Sequence, residues 1–412
     1  MFRFGMIFLG AVSVSGQGIA GPVPLEAPVQ VTPFVQVQSN GEGFDQWVDG
    51  FRRRALRQGI SAATFDAAFQ GVTQDDAIIT LDRNQSEFSK ALWEYLDTAV
   101  SDARIRNGQR ALRDHQSVLT QIEATYGVDK EVIAAIWGLE SAYGAVRGNT
   151  NTIEALATLA HDSRRSAFFE GQLLAALQIL EAGDTAPRNM VGSWAGAMGH
   201  TQFMPTSFLD LAVDGNGDGR RDIWGDDPTD ALASAANYLR SNGWTRGQPW
   251  GVEVQLPANF DYMTARRDNE RMPSDWASDG VVALNGQPVP NHGRASILLP
   301  GGHEGAALMI FKNFEVLETY NTADSYVIGV GHLADRIAGG GAIQSAWPRS
   351  DGALSGPDRR ELQQRLRDAG FDPQAIDGRI GPLTINAIRA YQVANGLVPD
   401  GYASPQLLRR LR

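Results

Sequence analysis

One carboxylate in this sequence has the surroundings that acid–base chemistry requires. Glu140 lies in the run Trp-Gly-Leu-Glu-Ser-Ala-Tyr at residues 137–143. Ile136 and Trp137 precede it at helical spacing, so Glu140 and Tyr143 continue the same apolar stripe one turn later. Burial against apolar neighbours raises the pKa of a carboxyl group toward the range that suits a general acid. The helix alone leaves a second interpretation open, namely a buried glutamate paired with an arginine for structural reasons.

A second group of residues has the spacing of a calcium loop. Residues 214–222 read Asp-Gly-Asn-Gly-Asp-Gly-Arg-Arg-Asp, which matches the first nine positions of an EF-hand loop. The twelfth position holds Gly225 instead of glutamate, so Asp226, Asp227 or Asp230 would have to close the site. The predicted calcium ligands are Asp214, Asn216, Asp218, Arg220 and Asp230. Such an ion would brace the fold, and the alternative is a metal-free acidic turn held by Asx-type hydrogen bonds.

The composition argues against several other classes of site. The six histidines are dispersed without ligand spacing, which disfavours zinc, and neither a G-x-S-x-G elbow nor a P-loop is present. The chain has no cysteine, so disulfides, thiolate metal sites, a cysteine nucleophile and a lipoprotein anchor are excluded. A net charge of −11 argues against nucleic-acid binding. His200 lies in a glycine-rich loop, where a lone histidine is more often a structural hydrogen-bond donor than a catalyst.

The elements that position these residues begin after an unusual N-terminus. Residues 1–20 carry an early arginine, an apolar run and then small residues, which predicts a secretory signal peptide; the alternative is a buried N-terminal helix or strand. Residues 21–43, rich in Pro, Val, Gln and Gly, predict a linker. Helical periodicity starts at Phe44 and includes a helix over about 129–143 that carries Glu140. No later stretch is apolar for long enough to cross a bilayer.

The second half of the chain changes character twice. Short strand patterns between about 250 and 312 predict a small β insertion, and a helical pattern resumes from about Phe314 to Ile337. Residues 346–354 predict a second linker, and residues 355–412 contain three short helical patterns. A unit this small has a limited core and is typical of a binding module. We therefore predict a mainly α (α+β) protein with a helical body, a β insertion and a C-terminal three-helix module.

Several motifs occur in a characteristic order along the chain. They are Phe88–Tyr95, Glu140-Ser-Ala-Tyr-Gly144, Gly196-Ala-Met-Gly199, Gln202-Phe-Met-Pro205, the acidic loop with Ile223-Trp224, and Ala236-Asn-Tyr-Leu239. Together they resemble the membrane-bound lytic transglycosylase B family over residues 44–345, which implies a lysozyme-like catalytic domain. Residues 355–412 look like a peptidoglycan-binding domain, on the motifs Asp377-Gly378, Gly381-Pro382 and Ala387–Gln392.

The resemblance implies cleavage, without water, of the β-1,4 bond between N-acetylmuramic acid (MurNAc) and N-acetylglucosamine (GlcNAc). Glu140 falls at the family's single acid/base, which protonates the leaving oxygen and then deprotonates the muramic 6-hydroxyl to close a 1,6-anhydro ring. A single acid that acts twice should have a pKa well above that of a free glutamate. Carried over by motif, Ser193 would hydrogen-bond the acid. The residues implied to line the glycan groove are Gln202, Tyr238, Tyr320, Asn321 and Tyr326.

The reaction that the resemblance implies needs no cofactor, and the Ca²⁺ predicted from the acidic loop would be structural. We expect a soluble, exported periplasmic monomer without a membrane anchor, which binds peptidoglycan glycan strands and no nucleic acid. Cell-wall synthesis proteins are candidate protein partners. Two rival functions are a muramidase, which hydrolyses the same bond, and a catalytically silent peptidoglycan-binding scaffold.

Overall fold

The computed structural model describes residues 43–83, 90–162 and 164–412. The predicted signal peptide, and all of the predicted N-terminal linker except Gly43, lie outside the described residues. Within the described part, the chain is mainly helical with two small antiparallel sheets. No helix of the described part is long and apolar enough to cross a membrane.

A helical body precedes the C-terminal module. Its helices are α1 (Phe44–Arg57), α2 (Ala62–Ala68), α3 (Asp76–Arg83), α4 (Leu92–Ala99), α5 (Asp102–Asp114), α6 (Gln116–Tyr126), α7 (Lys130–Ser141), α8 (Thr152–His161), α9 (Ser166–Ala182), α10 (Pro205–Leu211), α11 (Thr229–Ser241), α12 (Pro273–Ser278), α13 (Lys312–Tyr320) and α14 (Asp324–Ile337). Of these helices, α12 lies between two strands of the β insertion, which interrupts the helical body. The other helices form the body itself.

Helix α7 runs through the centre of the body. Residues 132–138 are all buried, so this helix is covered on every side instead of along one stripe. Helices α5, α11 and α14 pack against it. Its last turn reaches the surface, where Leu139 and Glu140 are partly exposed. The fold therefore presents Glu140 from a rigid, enclosed helix.

The predicted β insertion is a four-stranded antiparallel sheet with its own core. A separate two-stranded sheet pairs β1 (Thr150–Asn151) with β2 (Val191–Gly192). The strands of the insertion are β3 (Gly251–Gln255), β4 (Val282–Ala283), β5 (Ser296–Leu298) and β6 (Ala307–Ile310). Their order in the sheet is β4-β3-β6-β5. The insertion's core surrounds Trp276, which is fully buried and donates its indole Nε1–H to the Ala295 carbonyl at 2.9 Å.

The helical pattern predicted from about Phe314 to Ile337 corresponds to two helices in the structure, α13 and α14. The break falls at Asn321, whose side-chain Oδ1 accepts a hydrogen bond from the Ala323 N–H at 3.0 Å. Asparagine side chains compete in this way for backbone N–H groups and favour a turn over a continuous helix. The break matters for the site because it sets the position of Tyr326 in the first turn of α14.

The C-terminal module contains three helices, as the sequence predicts. They are α15 (Gly356–Asp368), α16 (Pro382–Ala394) and α17 (Pro405–Leu411). Leu362, Leu366, Ile388 and Leu408 form the centre of its small core.

The module and the segment before it are held against the rest of the chain by charged contacts. Arg349, in the predicted second linker, forms a salt bridge with Asp97 of α4 (Nη1 to Oδ2, 2.7 Å). His303 of the insertion binds the Asp400 carboxylate through its ring Nδ1 at 2.7 Å and its backbone N–H at 2.9 Å. The second linker is therefore a docked segment, and the module has a defined position beside the insertion.

Candidate active site

The backbone at the C-terminal end of α7, just after Glu140, has an unusual conformation. Ala142 and Tyr143 both have left-handed φ values, 50° and 61°, which costs energy for residues other than glycine. Tyr143 folds back along the helix, and its hydroxyl donates to the Arg104 carbonyl at 2.8 Å. A side chain at Gly138 would clash with it, because a Cβ there would lie 2.5 Å from the Tyr143 ring. The helix end is thus fixed by Tyr143 packing over Gly138.

His200 fastens the glycine-rich loop to this helix end. Its Nδ1 accepts from the Trp137 indole at 3.1 Å, and its Nε2 lies 2.7 Å from the Gly225 carbonyl, to which it donates. The Ser141 hydroxyl donates to the His200 carbonyl at 2.6 Å. Burial lowers the pKa of His200, so the ring is neutral and both nitrogens are used within the fold. His200 is a structural connector between α7 and the loop.

Glu140 is the most chemically distinctive group in this region. The Tyr326 hydroxyl donates to its Oε1 at 2.6 Å, and Glu140 as a residue is partly exposed. Burial raises the pKa of Glu140 to about 7, although the hydrogen bond from Tyr326 favours the ionised form. Within the described part of the chain, Glu140 forms no salt bridge with an arginine. The interpretation of Glu140 as half of a structural ion pair therefore has no support in the geometry.

Tyrosine rings surround the carboxylate. Tyr320 and Tyr326 lie parallel, with centroids 6.5 Å apart and 6° between the planes. Burial raises the pKa of both hydroxyls, and the nearby charge of Glu140 raises it further. The pKa of Tyr95 is raised by the same two causes, so Tyr95 also belongs to this site. Sequence reasoning missed Tyr95 as a site residue, although a tyrosine on an otherwise apolar helix face was a signal for it.

Three of the predicted groove residues form hydrogen bonds that build the wall beneath Glu140. The Tyr238 hydroxyl donates to the Thr319 carbonyl at 2.6 Å, and the Tyr320 hydroxyl donates to the Thr201 carbonyl at 2.7 Å. Asn321, which is 4% exposed, forms the turn between α13 and α14. The structure thus gathers Tyr238, Tyr320, Asn321 and Tyr326 at one place, and their contact with glycan stays a prediction.

Ser193 and Gln202 shape the loop that faces this wall. The Ser193 hydroxyl accepts from the backbone N–H groups of Ala195 (3.3 Å) and Ala197 (3.0 Å). Its predicted bond to Glu140 is not among the hydrogen bonds of the described residues. Gln202 is 1% exposed, has a left-handed φ of 53° and donates its Nε2 to the carbonyls of Arg147 and Gly199. Both residues stabilise the loop, and their contact with substrate stays a prediction.

The predicted calcium loop brings its carboxylates together. Oxygens of Asp214, Asp218 and Asp230 all lie within 4.8 Å of one another. Burial raises the pKa of Asp230, and repulsion from Asp214 adds to it, while backbone N–H groups stabilise its ionised form. The Asn216 side chain bonds the Asp218 N–H at 3.0 Å, and Arg220 continues the loop. Of the three candidates for the closing carboxylate, Asp230, in the first turn of α11, is the one that the structure places beside Asp214 and Asp218, and calcium binding by this group stays a prediction.

Two family models match the chain in succession. One described as "Transglycosylase SLT domain" matches residues 43–335, and one described as "Putative peptidoglycan binding domain" matches residues 355–411. The chain is 31% identical over 313 residues to membrane-bound lytic murein transglycosylase B of Escherichia coli (strain K12), covering 73% of this chain and 84% of that protein. It is 45% identical over 58 residues to the N-acetylmuramoyl-L-alanine amidase CwlM of Mycobacterium tuberculosis, covering 14% of each.

Solved structures agree with this assignment. SltB3 from Pseudomonas aeruginosa, in complex with NAG-anhNAM-pentapeptide, is 50% identical with a TM-score of 0.88, covering 90% of this chain and 100% of that one. Slt35 of E. coli, in complex with calcium, is 30% identical with a TM-score of 0.61, covering 73% of this chain and 94% of that one. The predicted fold class, a mainly helical lysozyme-like body with small sheets and a helical C-terminal module, is confirmed. With a transglycosylase domain over most of its length and a peptidoglycan-binding domain after it, this chain belongs to the lytic murein transglycosylase family.

Proposed function

We propose that Glu140 is the single acid/base with which this enzyme cleaves the MurNAc-GlcNAc bond of peptidoglycan. The observation that carries the proposal is a partly exposed glutamate at a helix end, whose carboxyl pKa burial raises to about 7. A group with that pKa is part protonated and part ionised at neutral pH, which suits one residue acting in both roles. Burial raises the pKa of Glu140 and the hydrogen bond from Tyr326 opposes this rise, and no second carboxylate of the described residues contributes to the shift.

The reaction then proceeds in two proton transfers. Protonated Glu140 gives its proton to the glycosidic oxygen as the bond from C1 of MurNAc to O4 of GlcNAc breaks. The resulting carboxylate takes the proton of the muramic 6-hydroxyl, whose oxygen bonds to C1 and closes the 1,6-anhydro ring. Glu140 ends protonated, and neither water nor a cofactor is consumed. Since Tyr326 occupies Oε1, the other carboxylate oxygen of Glu140 is the one that faces the substrate.

The surrounding residues support this chemistry by position. We assign the glycan groove to Gln202, Tyr238, Tyr320, Asn321 and Tyr326, with Ser193 beside the acid. Tyr238 and Tyr320 meet edge to face with centroids 4.9 Å apart, which gives the wall a fixed shape. Aromatic rings suit the apolar faces of sugar rings, and their hydroxyls suit the polar rims.

The test is Glu140→Gln, assayed on purified sacculi by mass spectrometry of the released fragments. The wild-type protein should release products with 1,6-anhydro-MurNAc ends, and Glu140→Gln should release none while still binding sacculi. The matched control is Glu131→Gln, the same change in the first turn of the same helix, which should retain activity. Reducing-end MurNAc from the wild type would establish a muramidase. Absence of any release by the wild type would leave a binding scaffold.

We also propose a structural Ca²⁺ held by Asp214, Asn216, Asp218, Arg220 and Asp230. The convergence of three carboxylates within 4.8 Å supports it, because hard oxygen ligands are what this ion prefers. A related enzyme, E. coli Slt35, has been solved in complex with calcium. When bound, the ion would neutralise the loop carboxylates and hold the start of α11 in place. It takes no part in the proton transfers.

The remaining features of the proposal concern placement in the cell. The sequence of residues 1–20 supports export to the periplasm, and the absence of cysteine from the chain supports a form without a lipid anchor. We propose domain limits of 44–345 for the catalytic domain and 355–412 for the peptidoglycan-binding domain, which anchors a monomeric enzyme to its substrate. Cell-wall synthesis proteins remain candidate partners. Fractionation of cells that express the full chain tests the location.

A further inference from the structure

A cavity of about 430 Å³ lies between the β insertion and the C-terminal module. Both units contribute to its lining, so it exists because the module is docked. The insertion supplies Ala265 to Asp268 and Ile297 to Pro300, and the module supplies residues of α16 and the segment from Asp400 to Ala403. We call it the seam cavity. Its volume is within the range of small-ligand sites.

Arg389 of α16 is the distinctive residue of this lining. Its side chain is 5% exposed, and it forms no salt bridge with any described residue. Its Nη2 donates to the carbonyls of Ala265 and Asp400, whereas its Nε is buried without a hydrogen-bond partner. Burial lowers the pKa of Arg389 and repulsion from Arg266 lowers it further, while the charges of Asp400 and Asp268 offset part of this effect. A guanidinium group buried without a carboxylate in direct contact is costly, and an anion beside it would remove part of that cost.

The other charges around the seam cavity are already paired. Arg266 forms a salt bridge with Asp268. Arg267 forms salt bridges with Glu318 and Asp324. Among the arginines that line the cavity, Arg389 is therefore the one that forms no salt bridge with a described residue.

Asp400, the nearest carboxylate of the module, is also fully used. One of its oxygens binds His303, and the other accepts from Gln392 at 2.7 Å and from the Tyr402 N–H at 3.0 Å. Helix α16 begins at Pro382, which also lines the cavity, and its N-terminus has no side-chain cap. The positive end of this 13-residue helix therefore adds to the charge of Arg389.

We propose that the seam cavity is a second substrate site, in which Arg389 binds the carboxy-terminal carboxylate of a peptidoglycan stem peptide. The inference rests on the proposed function for the choice of peptide. Arginine recognises carboxylates through paired N–H donors, and Arg389 has donors left over. Ile297, Pro382 and Ile385 give the cavity an apolar side that suits small aliphatic side chains. The sugar groove and the seam cavity would then hold different parts of the wall.

The probe is a sugar-free stem pentapeptide, which has no glycan with which to occupy the groove beside Glu140. Methyl NMR of the full chain, with labelled isoleucine, reports on the cavity through Ile380 and Ile385, which line it. We expect their signals to shift and saturate with the free-acid peptide. The same peptide with an amidated carboxy-terminus should bind at least about tenfold more weakly, since a hydrogen bond to a charged group is lost. Equal binding of the two peptides would overturn the proposal.

Variants separate recognition from folding. Arg389→Gln should weaken binding of the free-acid peptide by at least about tenfold and remove the preference over the amide. Arg379 is an exposed arginine of the same module, and Arg379→Gln should change neither the affinity for the free-acid peptide nor the preference over the amide. If Arg389→Gln unfolds the module, Asn386→Trp provides a second test, because Asn386 is an exposed residue of the lining and the indole would fill the entrance. Wild-type affinity in a folded Asn386→Trp or Arg389→Gln protein would refute the site.

The test of the seam cavity can fail or succeed independently of the test of the proposed reaction. Release of anhydro ends from a peptide-free glycan should be the same for wild type and Arg389→Gln, because the cavity recognises only the peptide. An enzyme that makes anhydro ends but does not bind the pentapeptide at Ile385 refutes the seam site alone. Peptide binding at Ile385 by a protein that makes no anhydro ends refutes the proposed reaction alone.

Discussion

The hydrogen bond from Tyr326 to Glu140 makes a sharp prediction about pH dependence. Tyr326→Phe keeps the ring, which is 2% exposed and parallel to Tyr320, and removes only the hydroxyl that donates to Oε1 at 2.6 Å. That donor stabilises the ionised carboxylate. A hydrogen bond to a charged group contributes about 1.5–3 kcal/mol, and one pKa unit corresponds to about 1.4 kcal/mol. The pKa of Glu140, about 7 in the wild type, should therefore rise by about 1–2 units in the variant.

The direction of the effect on activity follows from the first step of the reaction. Glu140 must start protonated, so the rate should fall as the pH rises through its pKa. In the wild type this alkaline limb should lie near pH 7. Loss of the Tyr326 hydroxyl destabilises the anion, keeps Glu140 protonated to higher pH and moves the alkaline limb upward by about 1–2 pH units.

The assay is the initial rate of anhydro-end formation from a defined glycan strand between about pH 5 and pH 9.5. This range spans the alkaline limbs expected for the wild type and for Tyr326→Phe. Carbon-13 NMR of labelled glutamate, assigned by comparison with Glu140→Gln, measures the same titration without turnover. Tyr320→Phe is the matched control, because its hydroxyl donates to the Thr201 carbonyl and not to Glu140. An alkaline limb that stays in place or moves to lower pH in Tyr326→Phe would refute the assigned role of this hydrogen bond.

Three further predictions concern stability. Burial raises the folded-state pKa of Glu140 from 4.5 to about 7, so the folded protein loses stability as the pH rises through that window. The free energy of unfolding of Glu140→Gln should therefore exceed that of the wild type by up to about 3 kcal/mol at pH 8. At pH 4 it should be no higher than that of the wild type, and denaturant unfolding measures both values. A chelator that removes calcium should lower the Tm of the wild type by several °C. The same chelator should leave the Tm of Asp214→Asn unchanged. An unchanged Tm in the wild type would argue against a bound ion. Gly138→Ala should lower the free energy of unfolding by about 1–3 kcal/mol, because its Cβ would clash with Tyr143. Gly171→Ala, in α9 with open space around it, should raise the free energy of unfolding by about 0.5–1 kcal/mol. Equal shifts in Tm for the two variants would contradict the packing argument.

The sequence alone determined the features that arise from contiguous residues. The apolar stripe before Glu140, the ligand spacing of residues 214–222 and the alternation of the β insertion are each set by a short run of side chains. These patterns reflect backbone periods of helix, loop and strand, and they are visible without any knowledge of packing. The helix break at Asn321 was missed because one side-chain hydrogen bond outweighed an otherwise helical pattern.

Only the tertiary structure shows that Glu140 forms no salt bridge with an arginine of the described residues and instead accepts a hydrogen bond from a tyrosine. That tyrosine, Tyr326, lies 186 residues further along the chain, and Tyr95, whose pKa the charge of Glu140 raises, comes from a third helix. The seam cavity likewise joins residues 265–268 to Arg389. A pKa reflects the sum of desolvation and charge over every group within a few ångströms, whatever its position in the sequence. The sequence supplied a carboxylate on a helix, and long-range packing of separate elements made it a group with a pKa of about 7.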